Sequence, residues 1–277
     1  MLQQTGKTKE ALEIYRKVEE EKQLTTLGSD HQSVLTTQHN IAQCLQQTGK
    51  TKEALEIYQR VEKKKLTTLG SDHPSVLTTQ HNIAQCLQQT GQTKEALEIY
   101  RRVEEKQLTT LGSDHQSVLT TQHNIAQCLQ QTGKTKEALE IYRKVEEKQL
   151  TTLGSDHQSV LTTQHNIAQC LQQTGKTKEA LEIYQRVEKK KLTTLGSDHP
   201  SVLTTQHNIA QCLQQTGQTK EALEIYRRVE QKKLTTLGSD HPDVLITQHN
   251  IAQCLQETGK TKEALEIYRK VEEKRSN

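Results

Sequence analysis

The string LGSDH begins at Leu27, Leu69, Leu111, Leu153, Leu195 and Leu237, always 42 residues apart. The blocks HNIAQCLQ and KEALEIY recur with the same spacing. A chain built this way does not fold around one central core. Each unit is too thin to bury its apolar face alone and must stack on copies of itself. The units run 27–68, 69–110, 111–152, 153–194, 195–236 and 237–277, and together form one continuous solenoid domain. A partial unit at 1–26 precedes them, reads as a second helix only, and has one additional Glu in its Glu19-Glu20-Glu21 run. A longer period lies above the first. Residues 27–68 are identical to 153–194, and 69–110 nearly match 195–236, so a three-unit block was copied whole. Identity between units therefore records duplication and carries no information about selection.

Composition supports a thin, extended core. Apolar residues make up 31%, and the chain has no Trp, no Phe and seven Tyr. An ordinary globular domain has roughly 45–50% apolar residues. Disorder would require high net charge as well, yet 37 Lys+Arg against 34 Asp+Glu leave only +3. No stretch approaches the ~20 apolar residues of a membrane span, and no basic-then-apolar leader opens the chain. The expectation is a soluble, cytoplasmic protein with no membrane partner.

Each unit reads as two helices. The first spans about Gln32 to Gln47, with Val34, Leu35, Ile41, Ala42, Cys44 and Leu45 on one side. Thr36, His39, Asn40, Gln43, Gln46 and Gln47 occupy the opposite arc. Asp30 is the expected cap, and Gln32 alternates with Pro74, Pro200 and Pro242, which suits a first helical turn. Gly49 stands where a left-handed C-terminal residue is expected. The second helix is predicted from Thr51 to about Leu66, with Ala54, Leu55, Tyr58, Val61 and Leu66 as its apolar stripe. Lys52, Glu53, Glu56, Arg60 and Glu62 surround that stripe, several at i,i+4 pairing distance. No strand signal occurs.

The spacing of Ala42, Gly49, Ala54, Tyr58 and Val61 resembles the tetratricopeptide repeat. The 42-residue period and the LG-x-DHP opening are similar to the subgroup found in kinesin light chains. The resemblance covers essentially the whole chain and implies an all-α, right-handed α-solenoid superhelix. Three residues depart from the pattern. Gln38 stands where a large apolar residue is usual, Thr51 where Tyr is common, and no Pro closes the second helix. These departures imply a more polar seam between helices.

The short motifs do not describe an enzyme. Ser29, Asp30 and His31 are adjacent in a turn and cannot point at one another as a triad must. Six equal copies of one loop also supply no unequal environments to separate an acid from a base. There is no phosphate-binding loop and no nucleophile elbow. The six cysteines, at 44, 86, 128, 170, 212 and 254, come one per unit on the inner or boundary side of the first helix. Equivalent residues on packed helices lie about 8–10 Å apart, beyond the ~7 Å reach of a disulfide. They read as buried, reduced thiols. His39 and Cys44 do not converge on a metal, and no cofactor is implied. Nucleic acid is disfavoured because no Lys or Arg lies between Gln32 and Gln47, which removes the dominant electrostatic attraction.

The polar arc is the best functional candidate. The resemblance implies that first helices line a concave groove, placing Thr36, His39, Asn40, Gln43 and Gln47 on it. In the successive units the candidate peptide-binding residues are His39, Asn40 and Gln43; His81, Asn82 and Gln85; and His123, Asn124 and Gln127. They continue as His165, Asn166 and Gln169; His207, Asn208 and Gln211; and His249, Asn250 and Gln253. Amides offer both donor and acceptor, which suits an extended peptide segment of another protein. The expected function is a protein-interaction scaffold. The alternatives are a structural spacer or self-assembling array, joined end to end through uncapped termini, and the sensor portion of a larger protein.

Overall fold

A computed structural model describes residues 2–18, 28 and 30–276. The Glu19-Glu20-Glu21 run and Ser29 lie outside the described residues. Thirteen α-helices account for the regular structure among the described residues, with no strand. The helix α1 spans Leu2–Val18. First-type helices are α2 (Gln32–Gln47), α4 (Pro74–Gln89), α6 (Gln116–Gln131), α8 (Gln158–Gln173), α10 (Pro200–Gln215) and α12 (Pro242–Glu257). Second-type helices are α3 (Thr51–Leu69), α5 (Thr93–Leu111), α7 (Thr135–Leu153), α9 (Thr177–Leu195), α11 (Thr219–Leu237) and α13 (Thr261–Ser276). The residues fall into two compact units, up to Ile141 and from Tyr142 onward. Within the first, α1 to α5 each pack on the next helix in the chain; within the second, α8 to α12 do so. The fold is an all-α repeat solenoid.

The first helix of the repeat has the predicted bounds. Its cap does not match: His31 replaces Asp30 as the N-cap. Leu35 N donates to His31 O at 3.1 Å, so the helical ladder begins one residue later than Asp30. His31 Nδ1 accepts from Ser33 N at 3.2 Å, the role a capping oxygen usually fills. The aspartate instead receives a lysine from the end of the second helix. Lys64–Asp30 is 3.0 Å and Lys106–Asp72 is 2.9 Å, and Lys106 Nζ also donates to Ser71 O at 3.1 Å.

The second helix runs three residues past the predicted Leu66. Thr67 and Thr68 keep it helical, each hydroxyl donating to Lys64 O, at 2.8 and 3.0 Å. Gly70 ends it at φ 81° and ψ 164°, a conformation essentially confined to glycine. At the turn between the two helices, Gly49 has φ 84°. Lys50 N reaches back to Leu45 O (2.9 Å) and Gly49 N to Gln46 O (3.1 Å), the paired bonds that close a helix on a left-handed glycine. The helix α1 differs from its counterparts: it begins at Leu2 and continues straight through Gly6.

Val34, Leu35, Ile41, Ala42 and Leu45 are buried against Ala54, Tyr58 and Val61. The predicted stripe of the second helix is corrected at both leucines. Leu55 and Leu66 are only half-buried, and Lys65 is buried on the line of Ala54, Tyr58 and Val61. Ala54, Tyr58, Val61 and Lys65 are spaced i, i+4, i+7, i+11, which keeps them on one face whatever their chemistry. Thr37 and Gln38 are also buried.

Candidate functional site

The first helices present a neutral polar face. On α2, Thr36, Gln43 and Gln47 are exposed, whereas His39 and Asn40 are half-buried. The other repeats follow this pattern, with Gln85, Gln169, Gln211 and Gln253 exposed and Gln127 partly covered. Every candidate histidine and asparagine, from His39 and Asn40 to His249 and Asn250, is half-buried. The reason lies in the seam between consecutive repeats.

At the seam, Asn82 Nδ2 lies 3.3 Å from Tyr58 Oη and 3.3 Å from His39 Nε2. His39 and Tyr58 meet edge to face, with ring centroids 5.1 Å apart. The other side of the imidazole, Nδ1, lies 3.4 Å from Thr79 Oγ1. Equivalent contacts join Asn124 to Tyr100 and His81, and Asn208 to Tyr184 and His165. Asn250 meets Tyr226 and His207, and Asn166 donates to Tyr142 at 3.3 Å. The histidine belongs to one repeat and the asparagine to the next, so residues expected to face a ligand also hold the scaffold together.

Burial holds these imidazoles neutral. The values for His39, His81, His123, His165 and His207 are pushed down to about 4, with Lys65 adding to the effect at His39. Tyr58 is pushed well above the usual phenol range, chiefly by burial. Burial raises the thiols of Cys86, Cys128, Cys170, Cys212 and Cys254 to about 11, and all six cysteines are buried and free. Such thiols are poor nucleophiles.

The sequence reading missed the residues behind the histidine. Thr79 is fully buried and accepts from Lys65 Nζ at 3.1 Å. Where Lys65 is replaced by Gln107, Thr121 donates to Gln107 Oε1 at 2.8 Å. The signal was the i+4 spacing of Lys65 from Val61; its polarity concealed it. Gln38, noted as a departure, is explained by its counterparts: Gln80 Nε2 donates to Glu62 Oε1 and Gln122 to Glu104, both at 2.8 Å. An apolar residue there would strand the glutamate. Along one edge of the face the amides bridge repeats, Gln46 Nε2 donating to Gln85 Oε1 (3.1 Å) and Gln89 Oε1 (3.2 Å).

The SDH turns hold no catalytic arrangement. Ser71 Oγ donates to Asp72 Oδ1 at 2.9 Å, while His73 Nδ1 is occupied by Ser75 N at 3.1 Å. Among the described residues no cluster of His, Cys, Asp or Glu is placed to hold a metal, and no helix is long and apolar enough to cross a membrane.

A family model, the tetratricopeptide repeat, matches residues 1–63, 66–107, 77–150, 117–191, 191–232 and 233–276. No curated protein matches the chain. Among solved structures, a kinesin light chain-like protein of Podosopora anserina with nearly identical TPR-like repeats is 39% identical. The match covers 74% of this chain and 97% of that one, with a TM-score of 0.61. The apo form of RapI is 15% identical over 95% of this chain and 89% of its own, with a TM-score of 0.69. The apo quorum sensor NprR from B. thuringiensis is 14% identical over 99% and 83%, with a TM-score of 0.68. At those identities the last two share the fold alone.

Proposed function

The chain belongs to the tetratricopeptide-repeat family, and from that footing we propose that it is a non-enzymatic interaction scaffold. Its first-helix face takes an extended segment of another protein. The observation that carries this reading is the recurrence of exposed residues at the positions of Thr36, Gln43 and Gln47, with Ile246 and Glu257 departing in type and Gln127 in being partly covered. That face has no Lys or Arg, so a partner is held by hydrogen bonds and contact, with few ion pairs. The half-buried asparagines Asn40, Asn82, Asn124, Asn166, Asn208 and Asn250 and histidines His39, His81, His123, His165, His207 and His249 form its floor. Gln43, Gln85, Gln169, Gln211 and Gln253, with the partly covered Gln127, form its outer row. A cytoplasmic location, reduced thiols and no cofactor are part of this proposal.

The test is a pull-down with the intact chain and a variant with Gln85, Gln127 and Gln169 replaced by Ala. Loss of a partner in the variant supports the scaffold. Retention of every partner overturns it.

A further inference from the structure

Three seams, at Thr79, Thr121 and Thr205, fix a proton pattern, whereas His207 Nδ1 at another seam is buried without a partner. Thr79 has one hydroxyl proton, and Ser75 O takes it at 2.9 Å, closer than His39 Nδ1 at 3.4 Å. At the next seam Gln107 Oε1 takes the proton of Thr121 at 2.8 Å, with His81 Nδ1 at 3.3 Å. Thr205 repeats the first arrangement, donating to Ser201 O at 2.9 Å with His165 Nδ1 at 3.5 Å. In all three the threonine can only accept from the imidazole, so Nδ1 holds the ring proton. Nε2 is then an acceptor and can be met only by a donor. That orients the neighbouring carboxamide: Asn82, Asn124 and Asn208 must present Nδ2 inward to the histidine and tyrosine. Among the described residues no donor meets the Oδ1 of these asparagines, which are half-exposed.

The row above them has the same polarity. Thr36 donates its hydroxyl proton to Gln32 O at 2.8 Å, and Thr78, Thr120 and Thr204 donate to the carbonyls four residues earlier at 2.9 Å. Only lone pairs remain for an outside group. Thr36 and Asn40 are one turn apart, so two acceptor rows run side by side. The third row is the reverse: Gln85 Oε1 is occupied by Gln46, leaving the Gln85 Nε2 donor outward.

We infer that the Thr–His–Asn chain at these three seams makes the first-helix face around them an acceptor-dominated surface. Its partner is an extended protein segment bearing N–H donor side chains, carboxamide or cationic, and lacking carboxylates. A carboxylate offers only lone pairs: it would oppose the Thr and Asn oxygens of two rows, find donors in the Gln row alone, and meet no Lys or Arg on the face to offset the repulsion. This inference rests on the scaffold reading above, and the experiment separates the two.

Nitrogen-resolved NMR of the intact chain reports the tautomer directly. The probes for binding are extended peptides of one backbone length carrying Asn/Gln, Lys/Arg, Ser/Ala or Asp/Glu. The expected result is Nδ1–H at His39, His81 and His165, with Asn/Gln and Lys/Arg peptides binding at least tenfold tighter than Asp/Glu. An Nε2–H tautomer, or Asp/Glu peptides binding as well as the others, overturns the inference while leaving the scaffold reading intact. No binding of any peptide, with the Nδ1–H tautomer present, overturns both the scaffold reading and the partner assigned here. Thr121→Val, which leaves His81 Nδ1 without its acceptor, is expected to change the His81 tautomer signal and to narrow the peptide preference.

Discussion

Asn82 Nδ2 lies 3.3 Å from Tyr58 Oη, a bond between the first helix of one repeat and the second helix of the repeat before it. The phenol is fully buried, so its oxygen has no water to fall back on. The pair therefore couples the apolar packing of Tyr58 to the polar side chains of the first-helix face.

Tyr100→Phe tests that coupling with little change in shape. The ring contact with His81 survives, and Asn124 loses one acceptor. The expected cost is about 0.5–1.5 kcal/mol, the net worth of an ordinary hydrogen bond. Urea unfolding with an unchanged denaturant slope and a lowered midpoint checks it.

Acid should weaken the fold in a defined window. The folded values of five seam histidines are lowered to about 4 by burial, against an ordinary 6.5 when unfolded. A depressed value means the unfolded chain takes up protons first as pH falls. The stability these histidines contribute is therefore whole above about pH 6.5 and is lost progressively down to about pH 4. Unfolding midpoints measured from pH 8 to pH 4 should fall over that range. A variant with His81 and His165 replaced by Gln should show a shallower fall. Equal slopes would remove the histidines as the cause.

Lys65, Lys191 and Lys233 occupy a buried position that Gln107 and Gln149 fill elsewhere, and burial lowers the lysine values. Each ammonium donates to a threonine hydroxyl, and among the described residues Lys65 and Lys191 form no ion pair, while Asp243 offsets part of the burial cost at Lys233. Lys191→Gln is expected to stabilise by roughly 1–3 kcal/mol near neutral pH, the cost of burying an ill-compensated polar group. The gain should shrink as alkali discharges the native lysine. Thermal midpoints at pH 7 and pH 10 provide the comparison.

Ala84 and Ala96 are fully buried at helix contacts. Ala84→Leu or Ala96→Leu should cost ~1–3 kcal/mol through overpacking. Gln116→Pro should be nearly neutral, since Pro74 begins an equivalent helix with the same histidine cap. Equal thermal midpoints for Ala96→Leu and the parent would contradict the packing.

Much of the fold was legible because period and wheel are geometric. The bounds of α2, the glycine turn and the core of Val34, Ile41, Tyr58 and Val61 follow from spacing alone. The cap was misassigned because Asp is the commoner capping residue, whereas the carbonyl of His31 starts the ladder. Lys65 escaped notice because its hydrophilicity outweighed its place in the stripe. A helical wheel puts the histidines and asparagines on one face, but a single wheel has no view of the neighbouring repeat. Their bonds to Tyr58 and Thr79 cross that gap, where one unit's sequence is silent.

Because every seam draws on the same residue types, any two repeats are interchangeable neighbours. Excising residues 69–110 would set Tyr58 and His39 opposite Asn124, and Lys65 opposite Thr121, partners of the kinds they already have. Unequal recombination between near-identical gene segments, when it adds or removes 42 codons, would thus leave a joint the fold accepts. The number of repeats is a heritable quantity that can change in one genetic event, with no compensating mutation required.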